Sequence, residues 1–216
     1  MFLKKRQVNG IYYWSIAESY REEGKVKQRI IENLGNTEKA YLLLLERKEY
    51  QDHLKKIEKY LNVKSPLIWF GGKSRLATKL ISLMPKHKTY VEPFGGAVHV
   101  LGQKKRSQVE IFNDVDGDLV NFLLVVREDP KQFSEAVKSL PYSKGLYDTW
   151  RNSPFPKDPF DRAVRWFYLN RGGYVAAYKG RPGGWRSGKE HNTAGTFQSA
   201  CERIKPFADR LLKVNI

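Results

Sequence analysis

Four stretches of this chain combine residue types that can do chemistry. In Trp69-Phe70-Gly71-Gly72-Lys73, paired glycines ahead of a helical stretch let backbone amides approach a ligand, and the lysine can meet a carboxylate or phosphate. The same string also describes an ordinary tight turn. In Tyr90-Val91-Glu92-Pro93-Phe94-Gly95-Gly96-Ala97, a strand runs into a glycine turn and a helix, the arrangement by which α/β sheets hold cofactors at the carboxyl ends of strands. Glu92 would repel phosphate oxygens, so an ammonium or sulfonium suits it better; a buried turn with an incidental glutamate is the alternative. In Glu110 to Asp118, Asp114 follows an apolar strand at the roughly 20-residue spacing from Glu92 at which a carboxylate accepts hydrogen bonds from a ribose diol. A calcium loop is a poor match, because its twelfth position, counted from Asp114, is Val125 rather than glutamate, and Asp118 reads more simply as a helix N-cap. The fourth stretch runs from Ala163 through Arg165, Trp166, Phe167, Tyr168, Asn170, Arg171 and Tyr174 to Lys179, Arg181, Trp185, Arg186 and Lys189. Rings that stack on bases, interleaved with cations that meet phosphates, suit nucleic acid; a solvated basic loop over an aromatic core is the bland reading.

These residues need elements to hold them. Gly10 to Ser19 and Lys25 to Leu34 alternate like two strands around the turn Glu22-Glu23-Gly24, with Phe2 to Val8 as a third. Thr37, as N-cap, opens a helical stretch that runs to about Asn62, and Pro66 ends the segment. Beyond it the pattern predicts a helix over Lys73 to Leu83, a strand over Thr89 to Glu92, a helix after Gly96, a strand over Gln108 to Phe112 and a helix over Asp118 to Arg127. Strands alternating with helices predict a parallel α/β sheet.

Composition narrows the partners. Across 216 residues, 41% hydrophobic and 13% aromatic, there is enough apolar surface for real cores, and disorder is excluded for most of the chain. The 39 Lys plus Arg against 23 Asp plus Glu leave a charge of +16, so a polyanion is the first partner to consider. The cations are densest between Arg162 and Lys213, where carboxylates are few. The apolar runs Tyr41 to Leu45 and Leu119 to Val126 fall far short of the roughly 20 residues that span a bilayer. The N-terminal residues lack the apolar core of a secretory signal, which makes the cytoplasm the expected address. Cys201 is the only cysteine, and no Cys/His cluster has metal-ligand spacing, so no metal site is expected.

In order and spacing, the four stretches together resemble the Dam-type adenine-specific DNA methyltransferases over about residues 65 to 216. The resemblance implies an S-adenosylmethionine cofactor, a double-stranded DNA partner and, as fold, a Rossmann-like α/β methyltransferase sheet with a helical target-recognition insertion. Trp69, Gly71 and Lys73 match the N-terminal cofactor motif; Glu92, Phe94 and Gly96 match the main cofactor loop, with Asp114 as the ribose-binding acid. The run Tyr168-Leu169-Asn170-Arg171 and Tyr174 matches the start of the target-recognition region, and Arg171, Tyr174, Lys179, Arg181 and Arg186 are its expected DNA contacts. Val175 replaces the amide of the family's aromatic-Asn wedge, and Lys179 stands where an arginine reads a guanine, so base specificity does not carry over.

The family grips a flipped-out adenine with an Asp/Asn-Pro-Pro-aromatic motif, and these 216 residues contain no Pro-Pro pair. Asp158-Pro159-Phe160 reads as a loop, and Leu212 to Ile216 looks like the strand leading towards the missing motif. No catalytic residue is therefore assigned; an incomplete sheet is expected, with the motif on a continuation or a second polypeptide, or else a non-catalytic DNA-binding remnant. The first 60 residues resemble the small N-terminal module of some insertion-sequence transposases, a ribbon suited to a DNA groove or to packing and dimerisation. A transposase activity would need an acidic triad that cannot be assigned. The expected organisation is a β-hairpin module at 1–36, a connecting helix at 37–62, a cofactor-binding part at 63–128 and a DNA-binding part at 129–216.

Overall fold

A computed structural model describes residues 1–8, 11–45, 47–58, 63–174, 183–188 and 191–216. The chain forms two compact units, Met1–Asn62 and Val63–Ile216. Among the described residues, no helix is long and apolar enough to cross a membrane.

The first unit is an antiparallel sheet of β1 (Phe2–Val8), β2 (Ile11–Glu22) and β3 (Lys25–Asn36), in that order, followed by α1 (Thr37–Leu45), a 3-10 turn (Lys48–Tyr50) and α2 (Gln51–Glu58). Glu23 and Gly24 both adopt positive φ, 52° and 76°, which matches a two-residue hairpin turn to the strand twist; β2 runs on to Glu22 and β3 to Asn36, beyond their expected ends. Trp14 and Ile16 of β2 and Leu34 of β3 pack on Ala40, Tyr41 and Leu44 of α1 and on Leu54 and Ile57 of α2. The single helix expected over Thr37 to Asn62 is thus two helices: folding back brings Leu54 and Ile57 onto this core, which a straight rod would carry past. Asn36, not Thr37, caps α1, accepting the Lys39 amide at 2.9 Å, while Thr37 Oγ1 takes the Trp14 indole N–H at 3.0 Å.

The second unit starts with α3 (Ala77–Ser82), β4 (Thr89–Glu92), α4 (His99–Gln103), β5 (Val109–Phe112) and α5 (Gly117–Glu128). The strands β4 and β5 pair in parallel, Thr89 opposite Val109 and Glu92 opposite Phe112. Asn215 bridges to Ile111 in parallel on the other side of β5. A helical layer follows: α6 (Pro130–Lys138), α7 (Lys144–Asn152), α8 (Pro159–Gly172), α9 (Thr193–Glu202) and α10 (Ile204–Leu211). Phe122 of α5 stacks on Phe167 of α8 with centroids 5.6 Å apart, and Phe133, Trp166 and Phe207 close around that pair. The described residues form a mixed α/β protein, with one antiparallel sheet and one small parallel one.

Two local readings of this unit need correction. Asp116, not Asp118, caps α5, its Oδ1 accepting the amides of Asp118 and Leu119, and Asp118 instead pairs with Arg162 at 2.5 Å. Asp158-Pro159-Phe160 is not a loop: Asp158 caps α8 and Pro159 fills its first turn, where proline's missing N–H costs nothing.

Buried charge holds the parallel pair. Glu110 of β5 takes both guanidinium nitrogens of Arg210 (2.6 and 2.9 Å) and the Lys104 ammonium (2.8 Å), all three side chains being buried. Burial pushes the Glu110 carboxyl up, but the hydrogen bonds from Arg210 and Lys104 outweigh it and hold the group down at about 2.

Candidate functional site

The Gly-rich turn after β4 is shaped by its neighbours. A Cβ on Gly95 would overlap the Phe112 ring, and one on Gly96, whose φ is +51°, would lie 2.7 Å from the Trp69 indole nitrogen. The backbone therefore lies against β5 on one side and the Trp69 loop on the other. Asp114 Oδ2 accepts the Gly96 amide at 2.7 Å and Oδ1 accepts the Asp116 amide at 3.0 Å. Each carboxylate oxygen keeps a lone pair for a further donor such as a ribose hydroxyl. Lys73 donates to the Phe94 carbonyl at 3.2 Å. Trp69, Lys73, Phe94, Gly96 and Asp114 thus meet around one turn, and Gly71 (φ +68°) adds a turn with open space where a Cβ would be. Beside them the Phe94 ring is 76% exposed and Val115 is 92% exposed, an apolar rim open to an aromatic ligand.

Glu92 is placed differently from these. It is buried, its Oε2 accepts the Leu101 amide in the first turn of α4 at 3.2 Å, and Tyr90 also bonds it. Burial pushes its carboxyl up, opposed by Lys73. These bonds tie α4 to the end of β4. Val98, just before α4, is a β-branched residue at φ 61°, a strained conformation held in place by full burial.

Asn170 of α8 explains how the Trp69 loop is held. Its amide accepts the Ile68 N–H at 3.0 Å and donates to the Ile68 carbonyl at 2.8 Å, a reciprocal clamp just ahead of Trp69. Nothing in the composition signals this role; the Asn lies in the middle of an aromatic-basic run that reads as a nucleic-acid surface. Arg165 of the same run is also structural, its guanidinium meeting the carbonyls of Trp150, Ser153 and Pro154 at the end of α7.

The recognition stretch continues from α8. Gly173 bridges to Trp185 in antiparallel fashion, the Tyr174 amide donates to Gly184 and the Arg186 amide to Gly172. Trp185 packs on Tyr142, with centroids 4.4 Å apart, and on Tyr147. Tyr174 is 61% exposed and Arg186 half-buried, whereas Arg171 is only 7% exposed and is no surface cation. Lys179, Arg181 and Lys189 lie outside the described residues. Beneath the Gly71-Gly72 turn a cavity of about 690 Å³ is lined by Trp69, His99, Arg171 and Arg203, among others. His99 and Arg203 were not foreseen, being single polar residues in otherwise structural segments.

Comparison with known proteins follows this division. Residues 69–213 match the model of the D12 class N6 adenine-specific DNA methyltransferases, and residues 3–63 match that of the N-terminal domain of IS1634 family transposases. The chain is 32% identical over 113 residues to the DNA adenine methylase of Escherichia coli K12, covering 50% of this chain and 40% of that protein. It is 29% identical over 115 residues to the DNA adenine methylase of Haemophilus influenzae, and 28% identical over 141 residues to the type II methyltransferase M.MjaIII of Methanocaldococcus jannaschii, 49% of whose length is covered. The chain spans half or less of the length of these relatives.

Proposed function

Because the chain belongs to the D12 class N6 adenine-specific DNA methyltransferases, we propose that its larger unit binds S-adenosylmethionine at the turn after β4 and duplex DNA at the stretch after α8. On this reading the β4–β5 pair, with Asn215 beside β5, is part of a Rossmann-like methyltransferase sheet, 63–128 being the cofactor part and 129–216 the target-recognition part. The observation that carries the reading is the convergence of Trp69, Lys73, Phe94, Gly96 and Asp114, from three separate stretches, on one glycine turn beside the exposed Phe94 ring.

These residues fit the cofactor. Asp114 would take the ribose hydroxyls with its remaining lone pairs, Phe94 and Val115 would cover the adenine ring, and Lys73 and the amides around Gly71 would meet the methionyl carboxylate. When bound, the cofactor supplies an electrophilic methyl group on a sulfonium. Glu92 is assigned a positioning role, holding α4 and hence the turn. Tyr174, the most exposed of the described recognition residues, would wedge against the bases, while Arg186, Lys179 and Arg181 would meet phosphates.

Gripping the adenine amino group needs an acceptor pair and a stacking ring, which the family's Pro-Pro motif provides and no segment of these 216 residues contains. We therefore assign cofactor binding and target recognition to this chain, and methyl transfer to its combination with a segment that carries the motif. Calorimetry with S-adenosylhomocysteine tests the first assignment: saturable 1:1 binding, lost in Asp114→Ala, is expected. No binding by the folded chain, with DNA affinity untouched by Asp114→Ala, would leave a DNA-binding remnant as the correct reading, one that the missing Pro-Pro pair favours. Transfer of labelled methyl groups to DNA by the 216 residues alone would overturn the division of labour.

A further inference from the structure

Among the described residues, the cavity beneath the Gly71-Gly72 turn is lined by five basic side chains, Lys64, Arg75, His99, Arg171 and Arg203, and by no carboxylate. Arg171 is the decisive member. It is more than nine-tenths buried, its Nε has no hydrogen-bond partner among the described residues, and one Nη donates to the Thr196 carbonyl at 3.2 Å. Burial, with Arg203 and Arg186 nearby, pushes its guanidinium down to about 10. His99 is buried in the same wall, and its Nδ1 also lacks a partner.

Elsewhere in this unit a buried cation is answered. Arg210 and Lys104 share Glu110, and Arg165 meets three carbonyls. A buried guanidinium facing other cations across a hollow is unfavourable until an anion enters, and its planar fork of donors matches the oxygens of a phosphate. The volume of about 690 Å³ is ample for one such group. The site also adjoins the recognition stretch, since Arg171 lies in the last turn of α8, two residues before Gly173 bridges to Trp185.

We propose that this cavity is a phosphate site that seats one backbone phosphodiester of a bound DNA strand, anchored by the buried Arg171 guanidinium with Arg203 and Arg75 beside it. The choice of a DNA phosphate rests on the DNA-binding reading above; the anion site itself does not. Held there, the strand is fixed directly behind Trp69 and the cofactor turn, which sets the register of a target base against that turn.

Two experiments on the full chain test it. Titration with inorganic phosphate, followed by the arginine Nε–H resonances, is expected to shift Arg171 and Arg203 saturably, and Arg203→Gln to weaken the response. A duplex in which single phosphates are replaced by neutral methylphosphonates is expected to show one position that weakens binding to the wild type but not to Arg171→Gln. Arg203→Gln serves the same comparison if the buried substitution fails to fold. The salt dependence of duplex affinity in either variant should be shallower by about 0.9 in log–log slope. No saturable shift would overturn the site. A phosphate response without the position-specific coupling, or one abolished by S-adenosylhomocysteine, would reassign the cavity to a free phosphate ligand or to the cofactor's carboxylate and overturn the DNA assignment. Saturable phosphate binding in a chain that binds no duplex would instead count against the DNA-binding reading, with the anion site intact.

Discussion

The 2.7 Å bond from the Gly96 amide to Asp114 ties the ends of two neighbouring strands into one turn. Its precision depends on a missing side chain. In Gly96→Ala the new methyl would press on the Trp69 indole in a conformation, φ +51°, that alanine resists, so turn and indole must separate. We expect a loss of about 1–3 kcal/mol in stability, read by urea denaturation, and S-adenosylhomocysteine affinity lowered at least tenfold, read by calorimetry. Arg171 shows the limit of residue-type reasoning. Its neighbours in sequence are aromatic and basic, which suggests an exposed side chain, yet α8 turns it inward. Exposure is decided by helix phase and packing, not by composition.

The strands β4 and β5 were legible because short apolar runs between glycine turns have few other uses, and their observed limits differ from the expected ones by at most a residue. The break between α1 and α2 was not, because no proline or glycine marks it; the cause is a core that rewards folding back. The Asn170 clamp was illegible for a related reason, since its partner is the backbone of Ile68, about a hundred residues away, and a backbone partner leaves no trace in residue types. Replacing Asn170 by alanine leaves two backbone groups unsatisfied and should cost about 2 kcal/mol of stability, visible as a lower urea midpoint. Cofactor affinity should fall as well, although Asn170 touches no ligand. The buried Glu110 cluster makes a second prediction. Glu110→Gln strands Arg210 and Lys104 without their anion, which should cost about 3–5 kcal/mol at neutral pH. The Glu110 carboxyl is held at about 2, below its usual 4.5, so the wild type's advantage is fully present above pH 4.5. It should shrink as pH falls from about 4.5 to 2, where the wild-type group protonates; urea midpoints of both proteins across that range measure it.

At the scale of the molecule, two compact units with separate cores carry two different family signatures. Each unit has a core of its own: the first is centred on Trp14 and Leu44, the second on the Phe122–Phe167 stack. Two separate thermal transitions are expected in scanning calorimetry, and a ligand of the larger unit should raise only one of them. A single transition, raised as a whole by S-adenosylhomocysteine, would refute that independence. The β4–β5 pairing has a last consequence. Since β4 directs the carbonyls of Lys88 and Glu92 towards β5, the residues between them alternate, and Thr89 and Val91 point their peptide groups the opposite way, where no strand pairs with them among the described residues. In deuterated water, the amides of Thr89 and Val91 should therefore exchange far faster than those of Tyr90 and Glu92. A polypeptide that docks along that side would betray itself by slowing those two amides alone.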